Sequence, residues 1–187
     1  DQLKPYNPHQ NFISFGHLSS NKLARINNKI IFLGTYVNGA ITNTDQELFF
    51  KLALSLAERF PDQVVWRPHP NLLQGNRKEL ENLKNSKVKL LNPKESLSYQ
   101  LRDSVVAVAI SSSSLIDALY FGVIPISFNT TCLKEFPFPL VKTKVGFEYR
   151  NFDQALEQIT DLMNNQDKIS GIQKQIAATH TSFFSNT

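Results

Sequence analysis

Continuous apolar segments alternate with amphipathic segments from Lys29 onward, and this alternation constrains the fold more than any other feature. The segment "KIIFLGTY" is an apolar run that ends at a glycine, which is typical of a strand buried on both faces. The next segment, "TNTDQELFFKLALSLAERF", has apolar residues at helical spacing. Strands buried on both faces and separated by helices form parallel sheets, so the pattern predicts a Rossmann-like α/β fold with helices on both faces of the sheet.

The same alternation continues to the end of the chain. Further strands are predicted at "QVVWR", "VKLL", "VVAVAI" and "VIPISF". Helices are predicted over 76–85, 95–103 and 114–122, and two helical segments over 153–184 form a helical C-terminal tail. Thr44 and Glu47 have the spacing of a capping box, and Gly122 is predicted as the residue that ends its helix.

The chain divides into two parts. Residues 1–28 carry prolines and asparagines, which predicts a linker or the end of a preceding domain, with one strand over 12–15. Residues 29–187 are predicted to form the Rossmann-like, nucleotide-sugar-binding domain. The chain begins at Asp1, so we expect it to be a fragment of a larger protein.

Composition limits the classes of function. The excess of 20 Lys and Arg over 16 Asp and Glu suits an anionic ligand or peripheral contact with an anionic membrane surface. The basic residues are scattered, so no nucleic-acid partner is expected. The single cysteine, Cys132, excludes an internal disulfide and fits a reducing compartment, so we expect a cytoplasmic location, either free or at the inner face of the cytoplasmic membrane.

Three loops are predicted at the edge where parallel strands end, which is where open α/β sheets bind ligands. The first is "GTYVNGAITNT", in which Gly34 and Thr35 are candidate phosphate contacts. The helix after it offers N–H groups to an anion, although a plain turn explains the glycine equally well. The chain has neither GxGxxG nor a Walker motif, which disfavours dinucleotide and P-loop functions.

The second loop is "RPHPNLLQGN". Its prolines, Pro68 and Pro70, restrict the backbone on either side of His69, and Arg67 ends the strand. A histidine at such a place can stabilise or protonate an oxygen that leaves a phosphate, so His69 is the candidate catalytic residue. Arg67 is either a phosphate contact or a salt-bridged residue at the end of the strand.

The third loop is "SSSSLID", between a buried strand and a helix. One serine is expected as the helix N-cap, but a cap does not need four. Serine hydroxyls and helix N–H groups together make an uncharged cradle for a phosphate. Asp117 is either a contact to a ligand hydroxyl or an acid that favours the helix start. The candidate nucleotide- and phosphate-binding residues here are Ser111, Ser112, Ser113, Ser114 and Asp117.

The order of "FLGT", "WRPHP" and "SSSSLIDALYFGVIPI" resembles the nucleotide-binding, C-terminal half of GT-B fold glycosyltransferases. More narrowly, it is similar to bacterial enzymes with cytidine-nucleotide donors: sialyltransferases and Kdo transferases, which use CMP-sugars, and CDP-glycerol glycerophosphotransferases. Those enzymes share a His-Pro motif and a Ser-Ser or Ser-Thr motif that bind the donor phosphate. His69 with Pro70 and the serines from Ser111 match these motifs, and Asp117 takes the place of an acid that contacts the ribose.

The resemblance implies a metal-independent transfer of a sugar, such as sialic acid or Kdo, from a cytidine-nucleotide donor to a glycan or glycolipid acceptor in surface-polysaccharide or lipopolysaccharide assembly. It implies no cofactor besides the donor substrate, and an acceptor site in an N-terminal domain. The histidines have no partners at metal-ligand spacing, so no metal site is predicted. Two alternatives stay open: a non-catalytic nucleotide- or phosphosugar-binding module of a larger polymerase, and a GT-B enzyme or epimerase that uses a UDP-sugar.

Two further features have two interpretations each. Trp66 is either a base-stacking residue or, as its buried strand favours, part of the core. The apolar face of the C-terminal tail, with Ile169, Ile172 and Ile176, packs either on another domain or on its own sheet.

Overall fold

A computed structural model of the chain describes residues 28–35, 41–69, 77–110, 112–131 and 145–184. The strands are β1 (Lys29–Leu33), β2 (Val64–Arg67), β3 (Lys89–Leu90), β4 (Ser104–Ala109), β5 (Ile124–Phe128) and β6 (Phe147–Tyr149). The helices are α1 (Asn43–Arg59), α2 (Arg77–Lys84), α3 (Leu97–Arg102), α4 (Ser114–Tyr120), α5 (Phe152–Asn164) and α6 (Gln166–Phe184). The predicted strand over 12–15 and nearly all of the predicted linker lie outside the described residues.

The strands form one six-stranded sheet in the order β3-β2-β1-β4-β5-β6, and every neighbouring pair is parallel. The chain moves from β1 to β2 and β3 on one side, then returns to β4 on the other side of β1. The predicted parallel sheet is confirmed. The short edge strand β6 was not predicted, because three residues give too few positions for a periodic pattern.

Helices cover both faces of the sheet, as predicted. On the larger face, apolar residues of α1, α2, α5 and α6 pack against the sheet, among them Leu52, Leu83, Ile159 and Ile176. On the smaller face, Leu101 of α3 and Leu115 of α4 pack against β1, β2 and β4. The amphipathic segments form helices because each can bury its apolar side against strands that are apolar on both faces.

The larger core answers both open questions about apolar residues. Ile169, Ile172 and Ile176 of α6 are buried in it, so the tail packs on its own sheet. Trp66 is 1% exposed. Its ring stacks on Phe32 and Phe50, with ring centroids 5.8 Å and 4.5 Å away. The core interpretation of Trp66 is therefore confirmed.

The capping box of α1 lies two residues before the predicted one. Thr42 is the N-cap, and its hydroxyl accepts the N–H of Asp45 at 3.2 Å. The Asp45 carboxylate accepts the N–H of Thr42 at 2.8 Å in return. The prediction of Thr44 with Glu47 was wrong, because "TNTDQE" contains the same spacing twice. At the other end of α4, Gly122 has a φ of +72°, which confirms it as the residue that ends that helix.

No helix among the described residues has the length and apolar character needed to cross a membrane.

Candidate functional site

The carboxyl ends of β2, β1 and β4 lie side by side, with β1 in the middle. The chain reverses its direction across the sheet between β1 and β4, and open α/β sheets bind ligands at such a switch point. Adjacent strands are about 4.8 Å apart, so the ends of β2 and β4 are separated by roughly 10 Å. The structure thus brings the described residues at the starts of the three predicted loops, 34–35, 67–69 and 112–114, to one edge of the sheet.

Gly34, the first residue after β1, lies against the end of β2. Its N–H donates to the carbonyl oxygen of Arg67 at 2.8 Å. A Cβ atom at position 34 would lie 2.8 Å from that oxygen and 3.1 Å from the backbone nitrogen of His69. The close approach predicted for this glycine therefore serves the β2 backbone, and its predicted contact with a ligand stays a prediction.

Thr35, the residue after Gly34, is bonded to the start of α1. Thr35 is 8% exposed, and its carbonyl oxygen accepts the side-chain N–H of Gln46 at 2.6 Å. The N–H of Asp45 is already bonded to Thr42. The start of α1 was predicted to offer free N–H groups to an anion. For the N–H of Asp45 that prediction was wrong, and the buried Asp45 carboxylate itself lies at this helix start.

Asp45 also joins the start of α1 to the segment after β5, a feature that sequence reasoning missed. Its second carboxylate oxygen accepts the hydroxyl of Thr130 at 2.7 Å. Burial acts to raise the pKa of Asp45, but hydrogen bonds from the Thr42 hydroxyl, the Thr130 hydroxyl and the Thr42 backbone outweigh it and lower the pKa. The available signal was the polar run "NTT" directly after a buried strand, at the same edge of the sheet.

His69 lies two residues beyond β2, half-buried, after a buried Pro68. Burial lowers the pKa of the imidazole below its ordinary value, because the charged form is less well solvated. At neutral pH the ring is thus mainly neutral and offers one donor and one acceptor. Pro70, predicted to brace it from the other side, lies outside the described residues.

Arg67 is bonded within the protein. Its guanidinium donates to the carbonyl oxygens of Glu95 and Pro93, both at 3.0 Å, and to the side-chain oxygen of Gln100. Burial lowers the pKa of Arg67, while the charge of Glu95 acts to raise it. These contacts fix the loop after β3 against β2, and a phosphate contact of Arg67 stays a prediction.

The serines after β4 differ in what they bind. Ser112 accepts the N–H of Ser114 at 3.2 Å. Ser113 occupies the N-cap position of α4, but its exposed side chain makes no capping hydrogen bond. Ser111 lies outside the described residues. At least one hydroxyl of the predicted cradle is thus not used to hold the helix.

Asp117 lies in the first turn of α4 and is exposed. Partial burial of its carboxyl raises the pKa, because the carboxylate is less well solvated there. Its predicted ribose contact stays a prediction. Among the described residues, no three His, Cys, Asp or Glu side chains lie together as metal ligands.

Solved structures similar to this arrangement of strands and helices are GT-B fold proteins. The fold of this chain is that of one GT-B half. One neighbour is the UDP-GlcNAc 2-epimerase of Methanocaldococcus jannaschii in complex with UDP-GlcNAc and UDP. It has a TM-score of 0.60 and 12% identity, over 74% of this chain and 39% of that protein.

Two further neighbours carry other descriptions. A mutant of S. aureus TarM, in complex with fondaparinux, alpha-GlcNAc-glycerol and UDP, has a TM-score of 0.62 and 15% identity over 83% of this chain. The spinosyn rhamnosyltransferase SpnG has a TM-score of 0.53 and 15% identity over 88% of this chain. The chain spans 32% of the first and 46% of the second, so it corresponds to less than half of either.

No protein family matches the sequence, and no curated protein matches it either. The neighbours, at these identities, establish the fold.

Proposed function

We propose that the chain is the donor-binding part of a glycosyltransferase and binds the nucleotide and phosphate of a sugar donor at the ends of β1, β2 and β4. The observation that supports it best is the meeting of Gly34, His69 and the Ser112–Ser114 segment at the switch point of the sheet. The fold likeness to proteins described with UDP, UDP-GlcNAc or as a rhamnosyltransferase agrees with it.

In this proposal an acceptor hydroxyl attacks the anomeric carbon of the donor, and the bond between that carbon and the phosphate oxygen breaks. The electron pair goes to the phosphate oxygen, and the acceptor proton goes to a base of the acceptor site. Hydroxyls of Ser113 and Ser114 and an N–H of His69 donate to the phosphate oxygens as their charge grows. The proposed transfer needs no metal, because these donors take up the developing charge.

The half-buried His69 suits this role. A neutral imidazole donates one hydrogen bond without the cost of a buried charge, and a bound phosphate favours its protonation. Truncation of His69 should therefore weaken the binding of a phosphate-bearing nucleotide more than that of the nucleoside.

The proposal also concerns the identity of the nucleobase in the donor. The His-Pro and serine motifs resemble those of enzymes with cytidine donors, whereas two of the neighbours are described with UDP. We propose a cytidine nucleotide, with a UDP-sugar as the competing donor. The acceptor, a surface glycan or glycolipid, would be bound by a second domain at the inner face of the cytoplasmic membrane.

A second candidate function is that of a UDP-sugar epimerase. The M. jannaschii neighbour supports it, since it shares the fold over 74% of this chain and is described as an epimerase. The product of an epimerase is still a nucleotide-sugar, whereas a glycosyltransferase releases the free nucleotide. The product formed therefore distinguishes the two functions.

Calorimetric titration with CMP, CDP, UDP and cytidine tests the proposal. We expect micromolar to millimolar affinity for CMP or CDP in wild type, and a loss of about tenfold in His69→Ala, the size of one charge-assisted hydrogen bond. The matched control is Tyr99→Ala, which truncates an exposed ring of α3 that belongs to none of the three loops.

The outcomes separate the alternatives. Binding of UDP without CMP or CDP selects the uridine donor, and no binding of any nucleotide contradicts both donor proposals. Equal affinity in wild type and His69→Ala contradicts the role of His69. A titration with EDTA present should give the same affinity, and a dependence on added Mg²⁺ would contradict the metal-independent mechanism.

A further inference from the structure

The end of β2 lies against Gly34, the residue that follows β1 and has no side chain. A Cβ atom there would lie 2.8 Å from the carbonyl oxygen of Arg67, 3.1 Å from the backbone nitrogen of His69 and 3.1 Å from Nε1 of Trp66. Two of these three atoms belong to the backbone, which cannot rotate away as a flexible side chain can. The shortest of these separations is one that real Cβ atoms do not show, so even a methyl group requires the 67–69 backbone to move.

The backbone at this point has little freedom to absorb such a movement. The Gly34 N–H donates to Arg67 at 2.8 Å, so the two chains are bonded at the place where the methyl group would push them apart. Arg67 is held on its other side by its bonds to the loop after β3. Pro68 is buried and has a fixed φ, so it passes a displacement of Arg67 on to His69.

Gly34 does not need to be glycine for backbone conformation. Among the described glycines, only Gly122 has a positive φ. Position 34 therefore has a conformation that alanine adopts without strain, and only the space around it excludes a side chain. That space is filled by the residues that lead to His69.

We propose that Gly34 is a positioning residue for His69: the missing side chain lets the end of β2 lie against β1, and this contact sets where the imidazole stands at the ligand edge. Gly34 need not touch the ligand for this. The part that concerns nucleotide affinity rests on the proposed function, whereas the part that concerns the position of His69 does not.

Trp66 gives the contact a natural probe. It is the single tryptophan of the chain, and it is 1% exposed. Among the described residues its Nε1 has no hydrogen-bond partner, and this atom lies beside position 34. A displacement at position 34 should therefore change the emission of Trp66 and the resonance of its indole N–H.

The test compares Gly34→Ala with Gly171→Ala. Gly171 lies in α6, where an added Cβ meets no atom within 4 Å, so the same methyl group is added without a contact. In ligand-free protein, the imidazole resonance of His69, identified by its loss in His69→Gln, and the Trp66 indole resonance should both shift in Gly34→Ala and stay in place in Gly171→Ala.

Loss of stability alone must be separated from loss of position. Ile176→Val shortens a buried side chain of α6 and lowers the melting temperature without a change at this edge. It should leave both resonances in place. Unshifted resonances in a folded Gly34→Ala, or shifts of the same size in Ile176→Val, overturn the proposal.

Nucleotide titration completes the test. If wild type binds CMP, CDP or UDP, Gly34→Ala should bind that nucleotide about tenfold more weakly, since a displaced contact group loses most of its effect. Unchanged affinity in Gly34→Ala contradicts the part of the proposal that concerns nucleotide affinity. If wild type binds no nucleotide, the proposed function fails, and the resonance shifts still decide whether Gly34 positions His69.

A measurement on wild type covers the case in which Gly34→Ala does not fold. Nuclear Overhauser contacts from a Gly34 Hα proton to the His69 amide proton and to the Trp66 indole proton are expected, because a Cβ atom in the place of that proton would lie 3.1 Å from both nitrogens. Their absence overturns the proposal.

Discussion

The starts of α1 and α4 face the same edge of the sheet but are built in opposite ways. At α1, Thr42 and Asp45 bond to each other on both sides of the capping box, and the Asp45 carboxylate is buried and also bonded to Thr130. At α4, Ser113 stands in the N-cap position without a capping bond, and its side chain is exposed. One start is closed by the protein's own anion, and the other presents hydroxyl groups.

The difference indicates which side of the switch point suits a phosphate. A carboxylate at the start of α1 interacts favourably with the positive end of the helix dipole and repels a second anion nearby. The serines before α4 carry no charge of their own, and the nearest acid of that helix, Asp117, has a raised pKa. The comparison thus divides the edge into a structural half, at α1, and a candidate binding half, at β4 and β2.

The largest effect is expected from a substitution of Asp45 at the start of α1, and it concerns the stability of the fold. Asp45→Ala removes the acceptor of the Thr42 N–H, the Thr42 hydroxyl and the Thr130 hydroxyl. Two or three donors lose their partner in a part-buried place, so we expect the free energy of unfolding to fall by about 2–4 kcal/mol. Urea unfolding measures it, and nucleotide affinity, measured under native conditions, should change by less than about twofold.

Asp45→Asn is the matched control, since it keeps the shape of the side chain and removes its charge. The pKa of Asp45 is lowered in the folded protein, so its contribution to stability is present above the ordinary value of 3.8 and is lost as the pH falls below it. Wild type should therefore lose more stability than Asp45→Asn on acidification below pH 3.8. Parallel acid curves would show that the carboxylate is not bonded as described.

A smaller effect is expected from substitutions at the start of α4. It concerns the free energy of nucleotide binding rather than the free energy of unfolding. Ser113→Ala combined with Ser114→Ala should weaken phosphate-bearing nucleotides by about 10- to 100-fold, the equivalent of one charge-assisted hydrogen bond or slightly more. The free energy of unfolding should change by less than about 0.5 kcal/mol, because Ser113 makes no capping bond. Ser55→Ala, in the middle of α1, is the control, and an affinity equal to that of wild type would remove the serines from the proposed site.

The smallest effect concerns pH. Burial lowers the pKa of His69 in the free protein, and a bound phosphate raises it, so binding takes up a proton. Affinity should therefore increase as the pH falls from neutral towards the lowered pKa of the free imidazole, by at most about tenfold per pH unit for one proton. Because the phosphate also titrates near pH 6, the measured quantity is the ratio of wild-type affinity to that of His69→Gln. A ratio that does not change between pH 5 and 8 would place His69 away from the phosphate.

The fold could be predicted because its signals are local. Continuous apolar runs such as "VVAVAI" lack the alternating polar residues of a half-buried strand. The segments between them have apolar residues at the helical period. Local signals fail where two solutions share a pattern, as in "TNTDQE", where both threonines precede an acid by three residues. They also fail for β6, whose pairing with β5 exists only in the assembled sheet.

The site could be predicted only in outline, because its partners are distant in the sequence. The placement of His69 and the serines at one edge follows from parallel strands. The contact between Gly34 and the end of β2 spans more than thirty residues, and the bond between Asp45 and Thr130 spans 85. No pattern within a short window indicates that Arg67 binds carbonyl groups of a loop 26 to 28 residues away.

The two outermost strands of the described sheet have a consequence for how the protein behaves at high concentration. β3 has two residues, with a lysine exposed, and β6 has three, with the Glu148 and Arg150 side chains paired at 2.6 Å beside it. Short, charged borders offer few free backbone groups to a foreign strand. Crowded molecules of this protein should therefore resist growth into extended intermolecular sheets.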